Sequence, residues 1–248
     1  MINPMELTGK HILITGASSG IGRAAAILSS NLGAKVSLVA RQEDKLAETL
    51  ETLEGEGHHI YAQDISQVET VEPLVKRIAA ESGAVDGFVH CAGMGENRPV
   101  SVSSPDFMKE MMSVSFFAFA EFLHILSKKK FSNAGASLVG ISSVAAIRGD
   151  KAQGAYAAAK AAMNGLIHPY AKELAARGVR LNTVAFGMID TGFYQLFLQS
   201  GGTDELLKNQ YLGVGETKDA ANVIAFLLSD ASKFITGTTL IADGGFLS

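Results

Sequence analysis

The sequence predicts a single doubly wound α/β domain built on a parallel seven-stranded sheet flanked by helices. Three observations carry that reading. Seven short runs are continuously apolar rather than alternating, as strands buried on both faces are. Longer windows of helical periodicity separate them, and strand–helix alternation over a whole chain defines the doubly wound class. No Pro/Gly/Ser-rich linker interrupts the alternation, so residues 1–248 are read as one domain.

Taken in order, the strand candidates are HILIT (11–15), KVSLVA (35–40), HIYAQ (59–63), GFVHC (87–91), SLVGIS (137–142), RLNTVA (180–185) and TTLIA (238–242). Helical windows lie at roughly 20–32, 43–54, 67–82, 105–130, 155–177 and 217–229. Pro169 falls inside the fifth window, which predicts a kink or break there. Residues 94–104 read as a loop. Residues 186–215 form a long insertion after the sixth strand, with Phe193, Tyr194, Leu196, Phe197 and Leu198 along it. An apolar insertion at the carboxyl end of a strand is where such domains carry a substrate lid, here around 188–214, and the alternative is plain helix packing onto the core.

The 248 residues suffice for a sizeable core, and 47% hydrophobic with 19% charged residues is an ordinary globular composition. A net charge of −4 gives no basic footprint for nucleic acid. A single cysteine, Cys91, excludes a disulfide framework and a cysteine-rich metal site, and no histidine spacing marks a metal centre. The start MINPMELTGK lacks an apolar signal core and no run reaches membrane-spanning length, so a cytoplasmic location is expected.

After the first strand comes TGASSGIG (15–22), followed by the helical RAAAILSSNLG. Gly16, Gly20 and Gly22 permit a tight turn and close backbone approach, while the helix start offers free N–H groups and a positive dipole end to an anion. A glycine loop between strand and helix points to a dinucleotide diphosphate. The second strand then runs VSLVA into Arg41, with no carboxylate where ribose hydroxyls would be bound and a guanidinium where a 2′-phosphate would sit. With Ser18 and Ser19 as hydroxyl donors, this predicts NADP(H) over NAD(H). The competing reading makes Arg41 a solvated helix-start residue.

In YAAAK (156–160), a phenol and an ammonium stand one helical turn apart on one face, separated by small helix-forming alanines. A cation near a phenol lowers its pKa from about 10, which makes Tyr156 and Lys160 a candidate proton-transfer pair. Alone, the pattern is common and reads first as an ordinary surface helix.

Together, TGASSGIG, YAAAK and the alternating pattern resemble the short-chain dehydrogenase/reductase family over essentially the whole chain, a Rossmann-type fold. The resemblance of the glycine loop places Ile21, between Gly20 and Gly22, among the cofactor-binding residues. Asp64-Ile65 resembles the family's adenine-contacting segment. HCAG (90–93), with Cys91, Ala92 and Gly93, stands where the family usually has NNAG. ISSVAA (141–146) carries Ser143 thirteen residues before Tyr156, the family's catalytic spacing. FGMIDT (186–191) is similar to the PGxxxT segment at the nicotinamide end, which implicates Gly187, Ile189 and Thr191. TGTTLIADGG (236–245) resembles the family's C-terminal strand.

The resemblance implies that Tyr156 is the acid/base, Lys160 its electrostatic partner and ribose ligand, and Ser143 the holder of the substrate oxygen. It implies an NADP(H)-dependent oxidoreductase acting on a carbonyl or secondary alcohol, with a 3-oxoacyl-acyl-carrier-protein reductase as the most natural activity. Three departures stand out. Ser115, in Val114-Ser115, replaces the catalytic asparagine. His90 and Cys91 replace two asparagines, and Phe186 replaces a proline. The alternative reading is an NADP(H)-binding sensor or scaffold with weak or lost chemistry. An acyl carrier protein would need a basic face, for which Lys128, Lys129, Lys130 and Arg177 are candidates, although lysines at a helix end also suit the dipole. The resemblance further implies a homodimer or homotetramer assembled through helices 105–130 and 155–177.

Overall fold

The computed structural model describes residues 3–199 and 208–248. Its seven strands form one parallel sheet in the order β3-β2-β1-β4-β5-β6-β7. They are β1 (His11–Thr15), β2 (Lys35–Ala40), β3 (His59–Ala62), β4 (Val85–His90), β5 (Ser132–Ser143), β6 (Arg180–Phe186) and β7 (Thr239–Ala242). The order reverses between β1 and β4, so the carboxyl ends there open a crevice, the ligand position of doubly wound sheets.

Helices α1 (Gly20–Asn31), α2 (Glu43–Leu50), α3 (Val71–Ser82), α4 (Pro105–Met112), α5 (Ala118–Leu126), α6 (Gly154–Leu174), α7 (Gly192–Gln199) and α8 (Thr217–Leu228) cover the faces. Each face has its own core. On one side Val71, Ile78, Phe119, Phe122, Met163 and Ile167 pack on Leu13, Phe88 and Leu138. On the other, Ala25, Ala26, Leu46, Ala220 and Ile224 pack on Ile12, Leu38, Val139 and Val184. Burial on both faces is why the strand runs lack alternation.

Local signals set several helix starts. Ser104 accepts the Phe107 N–H at 3.2 Å with Pro105 in the first turn of α4. Glu216 and Asp219 form a reciprocal capping box on α8.

Two helix expectations need correction. The window 105–130 is α4 and α5 joined by a wide π turn, Ser113–Phe117, and it ends at Leu126, so Lys128–Lys130 lie beyond the helix. Helix α6 runs through Pro169 without a break. Pro169 itself is exposed; the helical assignment continues across it from Gly154 to Leu174. The 94–104 loop holds one short 3₁₀ turn, Val100–Val102. Of the expected lid, α7 and residues 208–214 are described; residues 200–207 and the side chains of Leu196 and Phe197 lie outside the described residues. Among the described residues, no helix is long and apolar enough to cross a membrane, and no cluster of His, Cys, Asp or Glu could hold a metal ion.

Candidate active site

A cleft of about 620 Å³ opens at the carboxyl ends of the strands. Every candidate cofactor or catalytic residue singled out from the sequence lines it except Ser115, which lies beneath.

The glycine loop is packed as closely as backbone allows. Gly16 has φ +67°, and a Cβ there would stand 2.7 Å from the Ala92 nitrogen. A Cβ on Gly22 would overlap the Gly16 carbonyl. Gly20, at φ +53°, faces the Thr191 methyl, which draws the segment after β6 over the loop. Ile21, half-buried in the first turn of α1, lines the cleft and packs against the core beneath it. That turn contains no acidic residue and the Ser19 side chain does not cap it, so its N–H groups and positive end are available to an anion. Arg41 is exposed at the cleft rim beyond β2. Asp64 also lines the cleft, and its Oδ1 accepts from the Ser66 N–H at 3.0 Å and the Ser66 hydroxyl at 2.7 Å. Cys91, half-buried, has its thiol pushed up to about 12 by burial, against the pull of Lys160, so it is no nucleophile.

At the other end of the cleft stand Ser143, Tyr156 and Lys160. Ser143 closes β5, and its Oγ accepts from the Ala145 N–H at 3.1 Å. Tyr156 lies in the first turns of α6, and Lys160 one turn on. The Lys160 ammonium donates to the Ile141 carbonyl at 2.8 Å and stands 5.8 Å from the centre of the Tyr156 ring. Burial lowers Lys160 to about 8. Burial also raises the Tyr156 phenol, partly offset by a hydrogen bond from Ser143. The net direction for the phenol is upward, set by burial, with the Lys160 ammonium 5.8 Å from the ring centre. Desolvation dominates both groups.

Ser115 is fully buried in the π turn, and among the described residues its hydroxyl has no hydrogen-bond partner. A Cβ on Gly93 would lie 3.6 Å from that hydroxyl and 3.2 Å from the Lys160 Nζ, so Gly93 leaves open the space above both.

His90 has a role that the sequence did not disclose. It is fully buried at the end of β4, opposite Thr15 at the end of β1. Its Nε2–H donates to the Val114 carbonyl at 3.1 Å, which leaves Nδ1 to accept from the Thr15 hydroxyl at 3.0 Å. Thr15 in turn accepts the Ala92 N–H at 3.3 Å. Burial, helped by the Lys160 charge, lowers His90 to about 3, so the ring is neutral. An imidazole thus ties the sheet centre to the π turn beneath the cleft.

Apolar residues close the far end. The Phe193 and Tyr156 ring centres are 5.7 Å apart, and Phe193 lies against Gly95, where any Cβ would meet its ring. Met94, Tyr194 and Phe246 line the same end. Loops 94–104 and 147–153 are stitched together by the Arg98 N–H, which donates to the Ala152 carbonyl at 2.8 Å. Ala152, with φ +64°, is the one non-glycine residue at positive φ among the described residues. No side-chain pattern marks it, and sequence reasoning passed over it. Arg177 is not a free cation: its guanidinium donates to the carbonyls of Leu126, Ser127 and Ser132 and so caps the end of α5. Lys128, Lys129 and Lys130 are exposed nearby.

A parallel sheet reversing at β1/β4, a glycine loop at the reversal and a serine, tyrosine and lysine at one cleft define a Rossmann-type oxidoreductase fold. The chain belongs to the short-chain dehydrogenase/reductase family: the family model described as enoyl-(acyl carrier protein) reductase matches residues 16–247. The 3-oxoacyl-[acyl-carrier-protein] reductase FabG of Vibrio harveyi is 33% identical over 242 residues, 97% of this chain and 98% of that protein. Two solved structures, each 26% identical, superpose with TM-scores of 0.92. One is a 7α-hydroxysteroid dehydrogenase complexed with NADH and 7-oxo glycochenodeoxycholic acid, covering 99% of this chain and 98% of that one. The other is a short-chain dehydrogenase from Burkholderia cenocepacia in complex with NADP, covering 98% and 100%.

Proposed function

We propose that the chain is an NADP(H)-dependent carbonyl reductase whose substrate is a 3-oxoacyl thioester or a comparably apolar ketone. The observation that carries the cofactor preference is Arg41, an exposed guanidinium at the rim where a ribose-binding carboxylate would select NAD(H). The close-packed Gly16–Gly22 cradle fits a dinucleotide, with the diphosphate on the α1 N-terminus at Gly20 and Ile21, the adenine end near Asp64 and Ile65, and the nicotinamide end near Gly187, Ile189 and Thr191.

The bound cofactor supplies the hydride. The chain's own residues manage the oxygen and its proton. Ser143, oriented by the Ala145 N–H, donates a hydrogen bond to the substrate carbonyl. Tyr156 gives its proton to that oxygen as charge develops, or takes it back in the reverse direction. Lys160, still largely protonated at neutral pH, opposes the cost of a transient phenolate in a dry site. Phe193 and the other apolar residues exclude water and receive an acyl chain. The curated relative's name supports a thioester on an acyl carrier protein. Lys128–Lys130 precede the start of β5 and so lie at the amino ends of the strands, opposite the cleft, and Arg177 is occupied beside them, so the basic docking face expected from the sequence does not front this cleft.

A binding-only role is the second reading, favoured by the orphaned Ser115 hydroxyl where the family has an amide. Assembly into a dimer or tetramer through α4–α5 and α6 is part of the proposal, and light scattering showing a monomer would count against it.

The test is oxidation of NADPH, with NADH in parallel, across β-ketoacyl thioesters, diketones, steroids and keto-sugars. Turnover that prefers NADPH and disappears in Tyr156→Phe supports the reading. Equal use of NADH would remove Arg41's role, and activity surviving in Tyr156→Phe would remove the tyrosine's.

A further inference from the structure

Phe186 stands where the family's proline would stiffen the backbone entering the nicotinamide-end segment. The structure supplies a different constraint. Gln210 is a buried amide, 4% exposed, at the far root of the lid. Its Oε1 accepts the Met188 N–H at 2.7 Å and its Nε2 donates to the Met188 carbonyl at 3.0 Å. Both polar groups of one backbone residue are thus gripped by one planar side chain, and Nε2 also donates to the Gly213 carbonyl. Both donors of the amide and one lone pair of its oxygen are thus spent on lid-root backbone.

The slot that holds this amide is built from glycine. A Cβ on Gly187 would collide with the Gln210 Oε1, and a Cβ on Gly244 would lie 2.9 Å from its Cγ. The Leu212 N–H donates to the Gly244 carbonyl at 3.1 Å, which holds the C-terminal turn against the same side chain. A short parallel bridge, Ile189 with Gly215, completes the joint. The Gly215 N–H donates to the Met188 carbonyl at 3.0 Å and the Asp190 N–H to the Gly215 carbonyl at 2.8 Å. Met188 and Ile189 line the cleft; Gln210 does not.

We propose that Gln210 is a positioning residue for the nicotinamide half of the cofactor, fixing the Met188 peptide and hence the 187–191 wall through its two-pronged amide contact. The proposal rests on the NADP(H) reading. It differs from a general packing role in being local: the adenine half binds at Arg41, Asp64 and the glycine loop, none of which touches Gln210.

The experiment compares Gln210→Ala and Gln210→Met with the wild type in two titrations, NADPH and 2′-phospho-ADP-ribose, which lacks the nicotinamide. Methionine fills the slot without the amide, so it keeps the test open should the alanine variant fold poorly. Two hydrogen bonds to the wall predict roughly tenfold weaker NADPH binding in both variants, with fragment affinity unchanged within about twofold. Equal weakening of fragment and cofactor would overturn the proposal in favour of a structural role. So would wild-type behaviour of Gln210→Met, which would make packing sufficient. If wild-type protein binds neither probe, the cofactor reading itself falls, an outcome distinct from the other two.

Discussion

Lys160 offers a test in which stability and chemistry report the same proton. The residue is 4% exposed, and burial lowers its pKa from 10.5 to about 8. The sign follows from proton counting. Below pH 8 folded and unfolded chains both hold the proton, and the folded chain bears the full cost of a buried charge. Between pH 8 and 10.5 the folded chain has released the proton while the unfolded chain keeps it, so stability rises with pH across that window. A gap of about 2.5 pH units at 1.36 kcal/mol each amounts to roughly 3 kcal/mol. Lys160→Met also leaves the Ile141 carbonyl without its donor, but that cost does not vary with pH. The quantity to measure is therefore the wild-type unfolding free energy minus that of Lys160→Met, from urea melts between pH 7 and 10.5 without cofactor. It should climb by roughly 3 kcal/mol. His90, held at about 3, does not titrate in that window; Cys91, pushed up from 9 to about 12 by burial, lowers stability across its upper part, but it does so in both proteins and cancels from the difference. Wild-type kcat/KM should fall on the alkaline side through the same pKa, as the ammonium is lost. A difference that stays flat with pH would refute the burial argument.

Three further outcomes follow from the geometry. Gly22→Ala should cost about 2 kcal/mol in urea melts, because its Cβ overlaps the Gly16 carbonyl and backbone cannot swing aside; an unchanged midpoint would mean that the loop is looser than described. Ala152→Gly should raise stability by about 1 kcal/mol by relieving a left-handed alanine, and a lower midpoint would show that the strain is absent. Ser115→Asn should raise kcat with NADPH affinity unchanged if the missing amide slows proton relay; no gain in kcat would separate Ser115 from the chemistry.

The parts of this molecule that follow a period or a compositional rule were legible in the sequence. The seven strands each announced themselves as apolar runs, with ends shifted by a few residues at most except in β5, whose polar start at Ser132 and Asn133 has no apolar signature. The glycine loop was legible because only glycine fits its packing. The Ser–Tyr–Lys set came from spacing together with resemblance. What escaped depends on contacts distant in sequence. The π turn at Ser113–Phe117 has the periodicity of an ordinary helix, and its stabilising partner, His90, is 24 residues away from Val114. Pro169 pointed to a kink or break, and the helix runs on through it without a break. Arg177 was read as surface charge, whereas three carbonyls at the end of α5 and the start of β5 claim it. Gln210 carries no local signal at all; its meaning lies in Met188, 22 residues earlier.

The zipped roots at Met188–Asp190 and Gln210–Gly215 also bear on how this domain could diversify. Because both ends of the intervening chain are pinned, its length is thermodynamically cheap: doubling a closed loop costs only about 0.6 kcal/mol in closure entropy. Insertions, deletions and wholesale changes between the roots would be felt by the substrate end of the cleft, while the wall at Met188 and Ile189 stays where the joint holds it. On the proposed function, substrate range and cofactor grip would be mechanically separable modules, and exchange of the segment between the roots would be the engineering route that the joint makes available.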